Sequence, residues 1–200
     1  MKPHNHYFEV HRPEELQVVE KTILSLGTQV APRGKVTKEI RNIVVKFFPE
    51  CDFDPAHLDD PKKVTEEGKR FYIRDMPFAK KRITVIRHKI IFEMNETAKI
   101  LNEDAATRRA RIIEPDYAPY NIPCLVANQF FRRNGALEMS VFLRSSDLIN
   151  VLPLDIYAMQ ALQQDILDAR AEKAKVPMFN LDKGPITALI ASSHVYLLDG

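Results

Sequence analysis

The stretch IPCLVANQFFRRNGALEMSVFLRSSDLINVLPLDIY, residues 122–157, decides the fold. Asn134-Gly135 lies between an apolar run over 126–131 and a strictly alternating run, a pattern typical of a two-residue β-hairpin turn. The alternating run puts four apolar side chains on one face: Leu137, Met139, Val141 and Leu143. The sequence therefore predicts a hairpin with one buried face.

A helix is predicted to follow the hairpin. Pro153 suits the first turn of a helix, and apolar residues recur behind it at intervals of three or four. These positions are Ile156, Met159, Leu162, Ile166 and Ala169. The spacing predicts that this helix packs on the sheet and that Gln163, Gln164 and Asp165 face away from it.

The N-terminal part of the chain carries shorter signals. An amphipathic stretch after Pro13 predicts a helix that ends at Leu26, before a glycine. The Pro-Arg-Gly sequence at 32–34 predicts a turn, and the apolar run 43–48 predicts a strand.

Further elements are predicted on both sides of the hairpin. Apolar spacing over 83–101 predicts a second helix. Pro177 and Gly184-Pro185 predict turns before a last strand over 186–198. Strands and helices in this order indicate a mixed α+β fold.

Length and composition predict one domain. Two hundred residues, 45% of them hydrophobic, suffice for a single core, so we expect one domain over 1–200. The segment 51–80 begins acidic and proline-containing and has no clear period, which indicates a variable loop or lid.

Charge and cysteine content exclude several classes. The net charge of +2 is too small to indicate nucleic-acid binding. No apolar run approaches the roughly 20 residues that a membrane span needs. The six His and two Cys are not at zinc-ligand spacing, so we expect no metal. These features favour a soluble, cytoplasmic chain with reduced thiols.

Cys124 is the candidate nucleophile. A thiolate at neutral pH needs nearby positive charge, which arginines gathered for a phosphate would supply. The alternative is a buried core thiol without chemistry. Cys51 lies in an acidic stretch that disfavours a thiolate, so we interpret it as a bystander.

Four short motifs in order resemble one family. They are Pro123-Cys124, Arg144-Ser145-x-Asp147, Leu152-Pro153-x-Asp155 and His194-x-Tyr196. With them the chain resembles the thymidylate synthase and pyrimidine-nucleotide hydroxymethylase superfamily, over roughly 26–42 and 101 to the end. The resemblance implies one-carbon transfer to C5 of a pyrimidine nucleoside monophosphate, with methylene-tetrahydrofolate as donor. It also implies a layered α/β fold, with helices on one side of a mixed sheet and the other face used for a homodimer.

The resemblance implies which residues hold the phosphate. Arg144 and Ser145 offer a guanidinium fork and a hydroxyl, and Arg33 matches a mobile phosphate-binding arginine of the family. Arg108 and Arg109 match paired arginines that reach into the partner's site, so the active sites would be shared. The alternative for this Arg-Arg pair is a solvated basic turn.

The resemblance also implies which residues bind the base and the sugar of the nucleotide. Asp155 stands where thymidylate synthases usually carry Asn, and a carboxyl group sharing a proton with the ring suits cytosine. Its alternative role is to stabilise the positive N-terminus of the following helix. Asp147 matches a residue that orders the base pocket and is taken, with Cys124, as catalytic. His194 and Tyr196 match the pair that hydrogen-bonds the sugar hydroxyl.

Three departures from the family pattern shape the functional expectation. The chain has no Trp, and the family's general acid/base has no counterpart in matching context. Val151 replaces a glycine near the folate, and the chain ends at Gly200, four residues after Tyr196. We expect an open site that admits water, hence a CMP- or dCMP-type C5 hydroxymethyltransferase. The alternatives are a compact thymidylate synthase methylating dUMP and a non-catalytic nucleotide-binding relative.

Overall fold

A computed structural model describes residues 6–51, 53, 95–104, 106–113, 124–173 and 181–197, the side chains at 33 and 169–173 aside. Within them the chain is α+β, with a mixed sheet of eight strands. The strands are β1 (Tyr7–Val10), β2 (Thr28–Val30), β3 (Thr37–Phe47), β4 (Arg111–Ile113), β5 (Leu125–Arg133), β6 (Ala136–Leu143), β7 (Ser146–Asp147) and β8 (Asp182–Tyr196). The helices are α1 (Leu16–Leu26), α2 (95–103) and α3 (Leu152–Lys173).

The sheet is ordered β1-β3-β8-β6-β5-β4, with β2 paired to β3 and β7 paired to β8. Strand β8 runs parallel to β6 and antiparallel to β3. The ends of β6 and β8 and the start of α3 therefore meet at one end of the sheet, which we call the site end.

One face of the sheet is buried under helices. Alternate residues of β3, β6 and β8 face the core, and α1 and α3 pack on them through their apolar stripes. The predicted stripe of α3 is confirmed at Ile156, Met159, Leu162 and Ile166, while the side chain of Ala169 lies outside the described residues. Helix α1 ends at Leu26 as predicted.

The hairpin is confirmed. Strands β5 and β6 are joined by Asn134 and Gly135, with φ of 50° and 76°, the left-handed conformations that this turn type needs. Leu137, Met139, Val141 and Leu143 are at most 2% exposed. The alternating pattern therefore identified the buried face.

The expectation that Gln163 faces away from the sheet is wrong. Its side chain is 1% exposed, and Nε2 donates to the backbone oxygens of Leu137, at 2.6 Å, and Gly184, at 3.1 Å. A buried amide is tolerated because both of its N–H groups find acceptors.

The turn expected at Gly184-Pro185 is also wrong, since both residues lie inside β8. The register with β6 shifts here, which marks a bulge. A Cβ on Gly184 would lie 2.8 Å from the Leu137 oxygen, so glycine permits the close approach, and a bulge tolerates the missing N–H of proline.

Other boundaries differ from the sequence expectation. Strand β3 begins at Thr37 rather than 43, β2 was not foreseen, and α2 continues past 101 to 103. Three predictions lie outside the described residues: the part of the second helix before 95, the turn at Pro177 and the lid over 51–80. Two residues of the lid are described. Those two, Cys51 and Phe53, are 0% and 1% exposed and belong to the hydrophobic core.

Among the described residues no helix is both long and apolar enough to cross a membrane.

Candidate functional site

The hairpin brings Cys124 to the end of β6. The backbone oxygen of Cys124 accepts from the N–H of Arg144 at 2.8 Å, and Sγ lies 3.9 Å from Ser145 Oγ. The thiol is half-buried, whereas Cys51 is sealed in the core. Cys124 is therefore not the buried core thiol of the alternative interpretation.

Asp147 organises the turn that leads into α3. One carboxylate oxygen accepts from the N–H groups of Ile149 and Asn150, at 3.1 and 3.2 Å, and the other accepts from Asn150 Nδ2 at 2.9 Å. The side chain is 8% exposed. Its carboxylate thus holds the 147–150 turn, which positions the first turn of the helix.

His194 and Tyr196 lie at the end of β8, next to this turn. His194 is the register partner of Asp147 on one side and of Glu39 on the other. The two rings contact edge-to-face with centroids 5.3 Å apart. Burial lowers the pKa of His194 from its ordinary value, and the carboxylates of Asp147 and Glu39 oppose that shift.

The predicted phosphate ligands Arg144 and Ser145 follow β6 at the site end. Arg33 lies in the turn between β2 and β3, which opens on the same end, because Thr37 pairs with Tyr196. The direction of the Arg33 side chain lies outside the described part of the chain.

Arg108 and Arg109 are not brought to this end within one chain. The Arg108 oxygen accepts from Gln129 Nε2 at 2.7 Å, and the register of β4 on β5 extends Arg109 to the level of Phe131. Seven residues of strand separate that level from Cys124, about 23 Å at 3.3 Å a residue. Neither arginine can bind a phosphate held by Arg144 of the same chain.

Asp155 lies in the first turn of α3, half-buried, and its N–H donates to the Val151 oxygen at 3.0 Å. A carboxylate at this position stabilises the helix N-terminus, and the first turn of α3 lies at the site end. Both roles considered for Asp155 remain compatible with its placement.

Polar residues that the sequence did not single out also lie at the site end. Glu39 stands opposite His194, and the buried hydroxyls of Ser146 and Ser193, which are register partners, have no hydrogen-bond partner among the described residues. Only strand register reveals these neighbours. The expectation that β3 begins at 43 left Glu39 outside any strand.

A cavity lined by described residues lies away from the site end. It has a volume of about 450 Å³, between the α3 face that carries Gln160 and the far end of the sheet at Phe47 and Lys183. Its lining includes no residue proposed from the sequence. In the described ranges there is also no cluster of three His, Cys, Asp or Glu side chains that could hold a metal ion.

Comparison with models of known protein families gives no match, and a search of curated proteins finds no similar sequence.

Proposed function

We propose that the chain is a pyrimidine nucleoside monophosphate C5 hydroxymethyltransferase of the CMP or dCMP type, with a thymidylate synthase-like fold. The observation that carries the proposal is convergence. Cys124 lies beside Ser145, 21 positions along the chain, and Asp147, two residues further on, is the register partner of His194, so the four lie at one end of the sheet.

The proposed reaction begins at the thiol. The Cys124 thiolate adds to C6 of the pyrimidine, which makes C5 a nucleophile towards a one-carbon donor. C5 would bond to the methylene carbon of the donor, the C5–H bond would break, and the donor nitrogen would leave with the electron pair of its bond to that carbon, which gives the exocyclic methylene. Water would then add to the methylene carbon with loss of a proton, and the electron pair returned to the ring would expel the thiolate from C6. The net change replaces the C5 hydrogen with a hydroxymethyl group.

The surrounding residues bind the substrate in this proposal. Arg144, Ser145 and Arg33 hold the phosphate, and positive charge there also favours the thiolate. Asp155 reads the cytosine edge, since a carboxyl group sharing a proton can serve both ring N3 and the exocyclic amine. His194 and Tyr196 hold the sugar.

The one-carbon donor of the proposal is methylene-tetrahydrofolate. One described residue, Val151, differs from the family at the folate. Val151, at the place of a family glycine, is half-buried in the turn before α3, so an isopropyl group fills space that the family leaves open. We assign no residue to folate binding.

The open face of the sheet supports the homodimer of the proposal. One register row on this face is apolar across every strand of the main order, and we call it the apolar row: Tyr7, Val44, Leu189, Phe142, Ala127 and Ile113. Four of these side chains are 37–47% exposed. The next row is polar throughout: Glu9, Lys46, Thr187, Ser140, Gln129 and Arg111. A self-complementary apolar strip of this kind suits an isologous contact between two copies.

The direction of the two-fold axis follows from the shared site. An axis parallel to the strands would place Arg108 and Arg109 over the far end of the partner sheet. An axis along the apolar row reverses the strands of the partner, and so brings these arginines to the partner's Cys124 end. The proposal therefore requires the second arrangement, in which each member of the apolar row faces its own copy.

Ligand stabilisation tests the substrate. The midpoint of thermal unfolding should rise with CMP or dCMP more than with UMP or dUMP, since a ligand at 100 times its dissociation constant stabilises the folded state by about 2.7 kcal/mol. Tritium release from the C5-labelled nucleotide, with methylene-tetrahydrofolate and without dihydrofolate formation, would indicate hydroxymethylation. Dihydrofolate formation would instead establish a methylating enzyme, and nucleotide binding without tritium release a non-catalytic relative.

A further inference from the structure

We propose that the cavity at the far end of the sheet is a second binding site, for a flat, uncharged ring compound that carries amino and ring N–H donors beside a carbonyl group, the class to which guanine belongs. The cavity has a volume of about 450 Å³, which is in the range of small-molecule sites. It lies between α3, the end of β3 and the start of β8, away from the site end. This second site does not depend on the function proposed above.

Three glutamines of α3 line the cavity, and in each of them the amide nitrogen already donates to the protein. Gln160 Nε2 donates to the Cys51 oxygen at 2.7 Å, and Gln163 Nε2 donates to two backbone oxygens of the sheet. Gln164 Nε2 donates to Asp168 Oδ1 at 2.8 Å. Every one of these partners is an acceptor, so the hydrogen bonds fix which side of each amide carries the nitrogen.

The three amide oxygens are left as acceptors at the wall of the cavity. None of them has a hydrogen-bond donor among the described residues. Gln163 is 1% exposed, so a ligand in the cavity would cover an acceptor that is already removed from bulk water. Such a ligand must supply N–H or O–H donors, because a buried acceptor that stays unpaired weakens binding.

Aromatic side chains indicate that the ligand is flat. Phe47, Phe48 and Tyr157 line the same cavity, and His11 stacks on the Phe48 ring with centroids 3.9 Å apart, which supports that wall from behind. Aromatic rings contact planar ligands by offset stacking or edge-to-face packing. A planar ring rich in donors uses both the aromatic walls and the amide oxygens.

The charge of the lining disfavours a cationic ligand. Lys183 is the one charged side chain in the described lining, and it forms no ion pair with another described residue. Its ammonium would repel a guanidinium or amidinium group and would donate to a carbonyl oxygen. The Tyr157 hydroxyl, which has no hydrogen-bond partner in the described ranges, offers a second donor. A neutral ring with a carbonyl group beside its N–H donors matches this set.

Calorimetric titration with guanosine tests the site. Inosine is the matched probe, because it differs from guanosine only in lacking the 2-amino group. We expect guanosine to bind and inosine to bind at least about tenfold more weakly, since a site that pairs an amine rejects the analogue without it. Equal affinity for the two nucleosides, or no binding of guanosine, would overturn the proposal.

Two variants test whether the nucleoside binds in the cavity. Ala161→Phe, at a half-buried position of the lining, should fill the space and abolish guanosine binding. Gln164→Met, which loses one surface hydrogen bond of α3, removes an acceptor and should weaken binding by roughly tenfold. Gln17→Met, at a half-buried position of α1, is the matched control and should bind like the unmodified protein. Unaltered affinity in Gln164→Met would overturn the proposal even if Ala161→Phe did not fold.

Asp155→Ala separates the two proposed sites. In the proposed function Asp155 reads the base at the site end, so guanosine should bind this variant with unchanged affinity. Loss of guanosine binding in Asp155→Ala would place the nucleoside at the site end and overturn the second site. Failure of CMP and dCMP to bind the unmodified protein would overturn the proposed function alone.

Discussion

The sulfur of Cys124 lies 3.9 Å from the hydroxyl oxygen of Ser145, at the open end of the β5–β6 hairpin. The contact joins the first residue before β5 to the second residue after β6, so the hairpin itself sets it. Any anion that Ser145 and Arg144 bind therefore lies beside the thiol. In the proposed reaction, the hairpin would therefore couple phosphate binding to activation of the thiol.

Removing the Ser145 hydroxyl should weaken nucleotide binding. A hydrogen bond to a charged group contributes about 1.5–3 kcal/mol, so Ser145→Ala should raise the dissociation constant roughly 10- to 100-fold by calorimetry. Ser25→Ala is the control, because Ser25 Oγ donates only to its own helix, at Thr22. Equal affinities in the two variants would exclude Ser145 from the phosphate site.

A charge on the apolar row should separate the proposed dimer into monomers. Leu189 is 44% exposed, and an aspartate there would be buried in the proposed interface, so Leu189→Asp should sediment as a monomer. Val18→Asp is the matched control, since Val18 is 59% exposed on α1 and away from the open face. A Leu189→Asp protein that sediments like the control would contradict this interface.

Mixing two inactive variants tests the shared site. Cys124→Ser and Arg109→Ala should each be inactive alone. When equal amounts of the two variants re-form dimers at random, half of the dimers contain one chain of each kind. One of the two sites in such a dimer combines an intact thiol with an intact partner arginine, so about a quarter of all sites are intact. Recovery of roughly that fraction of tritium release is expected, and no recovery would mean that each chain builds its own site.

The buried amide of Gln163 should be important for stability. Gln163→Met keeps the volume but leaves the Leu137 and Gly184 oxygens without their donor, at a cost of about 2 kcal/mol or more in the free energy of unfolding. Gln164→Met loses only a bond to Asp168 on the helix surface and should cost less than about 0.5 kcal/mol. Urea unfolding with unchanged m values measures both. A similar loss of unfolding free energy in the two variants would contradict a stabilising role for the Gln163 hydrogen bonds.

Acidification should destabilise the protein through His194. Because its pKa is lowered in the folded state, the unfolded chain binds the proton first as the pH falls below about 6.5. The free energy of unfolding should therefore fall with decreasing pH more steeply in the unmodified protein than in His194→Gln. A shallower dependence in the unmodified protein would mean that the folded state favours the imidazolium.

Local patterns predicted the hairpin, α1 and the stripe of α3. The resemblance grouped Cys124 with Arg144 and Ser145, and the hairpin, with a register shift between Leu125 and Ala127, brings them together. The first half of β3 was not predicted because most of its side chains are polar. Pairing with β2 and β8, which the sequence does not reveal, makes this segment a strand.

Long-range register could not be read from the sequence. Asp147 meets His194 through a parallel pairing reached only after α3, and Glu39 joins them across an antiparallel one. Gln163 was misassigned because the two carbonyl groups that satisfy it belong to β6 and to a bulge in β8.

The central claim is that Cys124 adds to the pyrimidine ring. The direct measurement is tritium release from C5-labelled CMP and dCMP with the one-carbon donor present, comparing the unmodified protein, Cys124→Ser and the core variant Cys51→Ala. We expect release by the unmodified protein and by Cys51→Ala, and none by Cys124→Ser, which should still bind the nucleotide. Release by Cys124→Ser at the unmodified rate would contradict the account.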